Sequence, residues 1–363
     1  MLVKVQRFQE VLLISFFMGD GFNIAVVGAT GVVGREILSI LEERKFPIKN
    51  VFALASRNSV GKKISMSLDK QVEVEAFDKF DFNKNDIDIA FFCAGEGISK
   101  EFAEEVAKTG CIVIDKSSYF RLNDDVPLIV PEVNLDAIKN YTKKNIIATP
   151  NCTTIPFVLC AKPLDEKYKI KRAVITTFQS VSGSGADAVD ELYNQTKGFF
   201  EASVRNLEPN LEGKVYPKQI AFNCIPQCDS FDNNGNTKEE NKIINETEKI
   251  LGKKIPISST CVRVPVFRCH GESVNLEFEK DFEIDDIIEL LDDSPSVVVH
   301  NREEDGGYAI QCETAGTDCV YVSRIRKDNS VKNGLNFWLV CDNIRKGSAL
   351  NGVQIAEEII KYK

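Results

Sequence analysis

Histidine is nearly absent from this chain: 363 residues contain two, His270 and His300. That scarcity argues against a histidine-built metal centre. Paired CxxC spacings are missing as well, although there are eleven cysteines, so neither a zinc ribbon nor a disulfide framework is indicated and the thiols read as reduced. Cys224-x3-Cys228 comes nearest to half a zinc site; without a second cysteine pair or a neighbouring histidine, no metal is expected. No apolar stretch reaches the length of a membrane span. Basic residues are outnumbered, 45 against 54 acidic, and the formal charge of −9 disfavours nucleic acid and anionic membrane as partners. Internal repeats and low-complexity tracts are lacking too. A soluble, cytoplasmic protein is expected.

The first residues imitate a signal peptide, because Lys4 and Arg7 precede an apolar stretch at 11–18. That stretch is short, Glu10 precedes it and no small-residue cleavage site follows. One reading starts translation at Met18 and makes the first seventeen residues an extension without function; residues 1–21 are set apart as an N-terminal extension whose role stays open.

The chain is too long for one ordinary core and fits two. From residue 22 onward strand and helix patterns alternate: strands at 22–27, 51–55, 87–93, 111–115 and 145–149, helices at 31–44, 100–109 and 135–139. Such alternation predicts a Rossmann-like, doubly wound α/β domain with a mostly parallel sheet. Beyond Cys152, β-rich runs at 172–179, 258–267, 272–278 and 334–340 predict a second, α+β catalytic domain with a large mixed sheet. Residues 200–238 are expected to be irregular. Residues 346–363 read as a helix with Leu350, Val353, Ile355 and Ile359 roughly on one face. The expected divisions are 1–21, 22–151, 152–341 and 342–363, the last returning to the first domain.

Gly28-Ala29-Thr30-Gly31-Val32-Val33-Gly34 follows the first strand directly and opens the first helix. Gly28 suits a tight turn, Gly31 a close approach of backbone to a pyrophosphate, and Gly34 close helix-to-strand packing. The spacing is GxxGxxG, weaker than GxGxxG, and a structural turn is the competing reading. The second strand ends at Ser56-Arg57, where an NAD-selective site would carry an acidic residue. A hydroxyl and a guanidinium suit a 2′-phosphate instead, so NADP is favoured over NAD, with a solvated loop charge as the alternative for Arg57.

Pro150-Asn151-Cys152-Thr153 joins a buried strand to an apolar helical run. The open N–H groups and positive dipole end of a helix lower a thiol's pKa, which makes Cys152 a candidate nucleophile; an inert core cysteine is the alternative. A nucleophilic thiol needs a proton acceptor, and His270 is favoured over His300, against the reading of a structural, hydrogen-bonded histidine.

Taken together, these motifs resemble the aspartate-β-semialdehyde dehydrogenase family. The matching segments also include 115–121 (DKSSYFR), 130–134 (VPEVN), 179–185 (QSVSGSG), 237–242 (TKEENK), 263–270 and 342–347 (DNIRKG), in family order from about residue 22 to the C-terminus. The resemblance implies that Cys152 attacks aspartate semialdehyde and gives up hydride to NADP+ as an acyl-thioester forms. Phosphate then releases β-aspartyl phosphate; biosynthesis of lysine, threonine and methionine uses the reverse direction. It further implies His270 as general base and Gln179 as the residue orienting the intermediate. Arg263 would grip the α-carboxylate, Glu239 would meet the substrate ammonium, and Arg121 and Lys242 would bind phosphate. Ser182, Gly183 and Asn343 would touch cofactor, and the second domain would form a homodimer.

Two departures stand out: the N-terminal extension, and Cys269, which replaces a glycine found in many members. The competing readings are another phosphorylating aldehyde dehydrogenase, of the N-acetylglutamyl-phosphate reductase or glyceraldehyde-phosphate type, and a non-catalytic relative that serves as a binding or assembly protein. The Glu239/Lys242 pair and the spacing to Arg263 favour the aspartyl substrate.

Overall fold

The computed structural model describes residues 21–205, 212–302 and 304–362. The expectation for the N-terminal extension thus lies outside the described residues, apart from Gly21. Among the described residues two sheets organise the fold. The first contains β1 (Phe22–Val27), β2 (Ile48–Ala55), β3 (Lys63–Ser65), β4 (Gln71–Ala76), β5 (Ile89–Phe92), β6 (Ile112–Asp115) and β7 (Ile146–Ala148), in the order β3-β4-β2-β1-β5-β6-β7. Every pairing is parallel except β3 with β4. Helices α1 (Val32–Glu43), α2 (Glu96–Lys108) and α3 (Pro131–Asn134) connect its strands. The central strands are mostly apolar because both faces are covered; β5 and β6 are buried along their whole length, Asp115 at the end of β6 included.

Two strands of this sheet, β3 and β4, have no counterpart in the sequence reading. Each buries a single residue, Ile64 and Val74, so neither shows an apolar run.

After α4 (Thr154–Tyr168) the second sheet begins: β8 (Ile170–Gln179), β9 (Ile257–Arg263), β10 (His270–Phe278), β11 (Val297–Val299), β12 (Val320–Asp328) and β13 (Gly334–Cys341), in the order β11-β12-β13-β10-β8-β9. It is mixed: β8 runs parallel to β9 and antiparallel to β10, and β10 runs antiparallel to β13. Its inner face, including Ile175, Val274, Leu276, Phe337 and Leu339, packs into one core with α4. Each such side chain stabilises by roughly 1.5–3 kcal/mol. α5 (Ala186–Arg205), α6 (Lys238–Leu251), α7 (Ile284–Asp292) and α8 (Gln311–Thr314) lie in its connections.

The C-terminal segment starts as a π-helical turn at Arg345–Ala349 and continues as α9 (Leu350–Ile359), which packs back onto the first sheet. Leu350, Val353, Ile355 and Ile359 are all buried there, as the sequence pattern predicts.

The irregular stretch begins later than expected, since α5 extends to Arg205. That helix escapes an apolar-periodicity reading because polar residues line its buried face. Glu191 accepts the N–H groups of Lys214 and Val215, at 2.7 and 2.5 Å. One turn on, Gln195 Oε1 accepts those of Ile220 and Ala221, both at 3.0 Å. An irregular chain is thereby pinned to the helix by satisfying its backbone donors.

Candidate active site

Cys152 lies beneath the start of α4 but outside its first turn, since Thr153 is the cap residue and the helix opens at Thr154. This corrects the expectation of a lowered thiol pKa. Burial pushes the thiol up to about 12, and the Glu239 charge pushes the same way, against the pull of Arg263, Arg121 and Lys242. Desolvation of the thiolate outweighs a helix end two residues away.

Three strand ends deliver the surrounding groups. Gln179 closes β8 and pairs in register with Arg263, which closes β9, while β10 runs the other way and opens with His270. All three therefore reach one end of the second sheet, each at least nine-tenths buried. Arg263 donates from Nη1 to the Ser180 carbonyl at 2.6 Å, and the Ser180 N–H donates to Nδ1 of His270 at 3.0 Å. The backbone of one residue, Ser180, thus touches both the guanidinium and the imidazole. Burial first and Arg263 second push the imidazole down to about 3.

On the other side stands α6. A capping box starts it: Thr237 Oγ1 accepts the Glu240 N–H at 3.3 Å, and Glu240 accepts the Thr237 N–H at 2.6 Å. Glu240 also accepts the Cys261 N–H at 2.9 Å, tying the helix to β9. With its first turn so held, Glu239 and Lys242 face Cys152. Glu239 accepts from Asn151 Nδ2 and Gln179 Nε2, both at 2.8 Å, and from Lys242 at 3.0 Å. Burial alone would raise its carboxyl, but Lys242 and the two amides override that and hold it at about 2. A cavity of about 250 Å³ brings Cys152, Gln179, Gly183, Glu239, Lys242, Arg263 and His270 together.

The chain carries the signature of its relatives across both halves. Residues 23–141 match the model of the semialdehyde dehydrogenase NAD binding domain, and residues 161–346 that of the semialdehyde dehydrogenase dimerisation domain. The aspartate-semialdehyde dehydrogenase of Rickettsia bellii is 49% identical over 95% of this chain and 99% of its own, and that of Aquifex aeolicus is 46% identical over 94% and 98%. The chain belongs to the aspartate-semialdehyde dehydrogenase family. A solved structure of aspartate semialdehyde dehydrogenase II from Vibrio cholerae, complexed with ASA, superposes with a TM-score of 0.89 at 40% identity, covering 94% of this chain and 99% of that one.

Other residues that family resemblance brings into the reading fall outside the cavity lining. Arg121 is buried against Glu246 at 2.8 Å. Ser182 and Asn343 sit behind His270, where Asn343 Oδ1 accepts from the Cys269 N–H at 2.9 Å and from the hydroxyls of Ser180 and Ser182, both at 3.2 Å. Cys269 itself has φ of 73°, a conformation that favours glycine and costs other residues about 1–2 kcal/mol. The substitution noted in the sequence thus falls where a side chain is strained.

The NAD(P)-binding half presents a glycine cradle at the edge of β1. Gly28 has φ of +85°, and a Cβ there would lie 2.8 Å from the Cys93 carbonyl carbon; one on Gly34 would lie 2.4 Å from the Gly28 oxygen. Gly31 leads into α1 without a side-chain cap, which leaves the helix N-terminus open to an anion. The residues present therefore fit a dinucleotide at the point where strand order reverses, between β1 and β5. Ser56 and Arg57 lie at the end of β2, both exposed, and Arg57 Nε donates to Asp78 at 2.7 Å. An acidic residue does stand beside this position; it arrives from the turn after β4, which the sequence reading missed.

Three further residues escaped the sequence reading. Asn151 lines the cavity, and its backbone N–H donates to Glu246 at 2.6 Å. Glu246 falls four residues after Lys242 and seven after Glu239, so helical spacing alone places the three on one face. Lys116, whose amine donates to the Ser348 carbonyl, is pushed down to about 7 by burial, with Cys93 and Cys152 among its charge neighbours.

Proposed function

We propose that this chain interconverts L-aspartate 4-semialdehyde, phosphate and NADP+ with L-4-aspartyl phosphate and NADPH through an acyl-thioester on Cys152. The observation that carries the reading is the meeting of a thiol, an imidazole, a guanidinium and a carboxylate–ammonium pair in one cavity. Arg263 suits the α-carboxylate because a planar guanidinium binds carboxylate bidentately. Glu239, held as a carboxylate at the cavity, suits the substrate ammonium. An N-acetylated substrate has no such charge, which disfavours the N-acetylglutamyl-phosphate alternative. Lys242 and Arg121 supply positive charge for phosphate, and Gln179 orients the intermediate.

The bound nicotinamide supplies the hydride acceptor, or donor in the biosynthetic direction. Gly28, Thr30, Gly31, Val32, Val33 and Gly34 would hold its pyrophosphate. Ser56 and Arg57 would meet the 2′-phosphate, and Ser182, Gly183 and Asn343 the nicotinamide side. The reading keeps divisions at 151/152 and 341/342. It also makes the protein a homodimer through the outer face of the second sheet, where Phe178 and Trp338 lie 5.4 Å apart, ring to ring, and are partly exposed. The test is an assay of purified protein with aspartate semialdehyde, phosphate and each nicotinamide cofactor in turn. NADPH formation that depends on phosphate is expected, and its absence would overturn the assignment.

A further inference from the structure

Arg263, which lines the cavity at the end of β9, is gripped by the irregular segment 212–225 at both its backbone and its side chain. Ile225 and Arg263 form an antiparallel bridge: the Ile225 N–H donates to the Arg263 carbonyl at 2.9 Å, and the Arg263 N–H to the Ile225 carbonyl at 2.8 Å. At the guanidinium, Nη1 donates to the Ser180 carbonyl at 2.6 Å, while Nε is buried without a hydrogen-bond partner among the described residues. A single hydrogen bond does not fix the plane of a fork. The ring of Tyr216 supplies the second contact, with the guanidinium carbon over it, 5.8 Å from the centroid. Within about 6 Å of an aromatic face a guanidinium is attracted by the ring quadrupole, most strongly where both groups are dry. Arg263 and Tyr216 are each more than nine-tenths buried. The ring is tethered in turn. Its hydroxyl donates to Ser184 Oγ at 3.0 Å, and Ser184 closes the short 3-10 turn (Val181–Ser184) that follows Ser180. Its backbone lies between the residues pinned to α5, with Glu191 holding Lys214 and Val215 and Gln195 holding Ile220 and Ala221. Ala188 and Leu192 of α5 complete a small apolar core around it with Val181, Ile220 and Ile225. The contacts therefore close a ring: Arg263 on Ser180, Tyr216 on Ser184, and Tyr216 on Arg263.

We propose that Tyr216 is a positioning residue that sets substrate specificity: its ring, placed by the segment that α5 pins, holds the Arg263 guanidinium in the plane that receives the substrate α-carboxylate. The inference rests on the assignment of Arg263 to that carboxylate above. The carboxylate lies away from the reacting carbon and is bound alike before and during reaction. Loss of the ring therefore removes uniform binding, which raises KM for the semialdehyde and leaves kcat in place. Phosphate and NADP+ do not meet Arg263 in this reading and keep their KM values. A ring that served the fold alone would act otherwise: its removal would lower the active fraction, and with it the apparent kcat, at unchanged KM for every substrate.

Tyr216→Leu removes the ring, and Tyr216→Phe keeps it without the tether to Ser184. The Leu variant is expected to raise KM for aspartate semialdehyde by about tenfold, with kcat within about threefold of native. Its kcat/KM preference for aspartate semialdehyde over 3-aminopropanal, the same aldehyde without the carboxylate, should fall by about tenfold as well. The Phe variant should stay within about threefold of native in both measures. Tyr216→Met, which fills space without a ring, repeats the comparison if the Leu variant does not fold. L-2-Aminobutyrate carries the α-carboxylate and ammonium but no aldehyde, so calorimetry with it needs no turnover; the ring-less variant should bind it about tenfold more weakly than the native and Phe proteins. Unchanged KM and preference in the ring-less variant, a Phe variant as impaired as that one, or aminobutyrate affinity that is absent from the native protein or equal in all three overturns the inference. Ring-dependent aminobutyrate binding by a native protein that turns over no semialdehyde supports it and fails the reaction assignment alone.

Discussion

Arg121 and Glu246 form a buried ion pair, Nη1 to Oε1 at 2.8 Å, and the second oxygen of Glu246 accepts the Asn151 N–H at 2.6 Å. One carboxylate thus holds a proposed phosphate-binding guanidinium and the backbone next to Cys152, the proposed nucleophile. Removing one member of a buried pair strands the other charge, at a cost of about 3–5 kcal/mol. Glu246→Ala is therefore expected to unfold at much lower urea than the native protein and to lose turnover in the part that stays folded. A midpoint within error of the native one would show that Arg121 finds another partner.

Burial first, and Glu239 second, hold Cys152 as a thiol, with its pKa pushed up to about 12. A raised thiol pKa means little thiolate at neutral pH, so alkylation of the 150–160 peptide by iodoacetamide should be slow at about pH 7 and still rising above about pH 9. Mass spectrometry must follow that peptide itself, because Cys224 and Cys312 are exposed and will react separately. A plateau below about pH 8 would mean that the thiolate is already stabilised without ligand. Cys152→Ala is expected to bind NADPH and to make none.

Arg57 is exposed and already paired with Asp78. A 2′-phosphate would have to draw the guanidinium from that carboxylate. Arg57→Ala should therefore weaken NADPH while leaving NADH nearly unchanged, and Asp78→Asn should tighten NADPH several-fold, both measured by fluorescence titration. Unchanged preference in both variants would place recognition of the phosphate elsewhere.

Glu272 is fully buried on β10, and neither carboxylate oxygen has a partner among the described residues. Burial raises its carboxyl well above the ordinary value. A carboxyl raised in the folded state gives stability that is complete below its unfolded value of about 4.3 and is lost as pH climbs toward the folded value. Compared at about pH 5 and about pH 8, the native protein should be the less stable at the higher pH relative to Glu272→Gln, which cannot ionise. Thermal midpoints at both pH values test this. Parallel behaviour of the two proteins would remove the effect.

Local sequence was sufficient wherever a residue's environment is set by its near neighbours. The apolar strands before and after the 28–34 turn, the switch from alternating to β-rich patterns after Cys152 and the buried face of the last helix all follow from periodicities of two and 3.6, because a fully covered strand or helix face has to be apolar. The turn glycines follow from backbone sterics at φ of +85° and from contacts under 3 Å at Gly28 and Gly34. Elements whose buried side is polar or nearly empty were not legible in this way: β3, β4 and the Glu191/Gln195 face of α5 carry no apolar signal.

The state of the site was decided by tertiary structure alone. Nothing near residue 152 announces Glu239, 87 positions later, or the desolvation that together with it reverses the expected direction of the thiol pKa. Nothing near residue 270 announces the Ser180 amide that donates to its imidazole. Sequence determines which chemical groups a chain owns and which short segments can turn, pair or coil. Charge and proton position depend on solvent exclusion and on partners reached through space, and those exist only once the two sheets have folded.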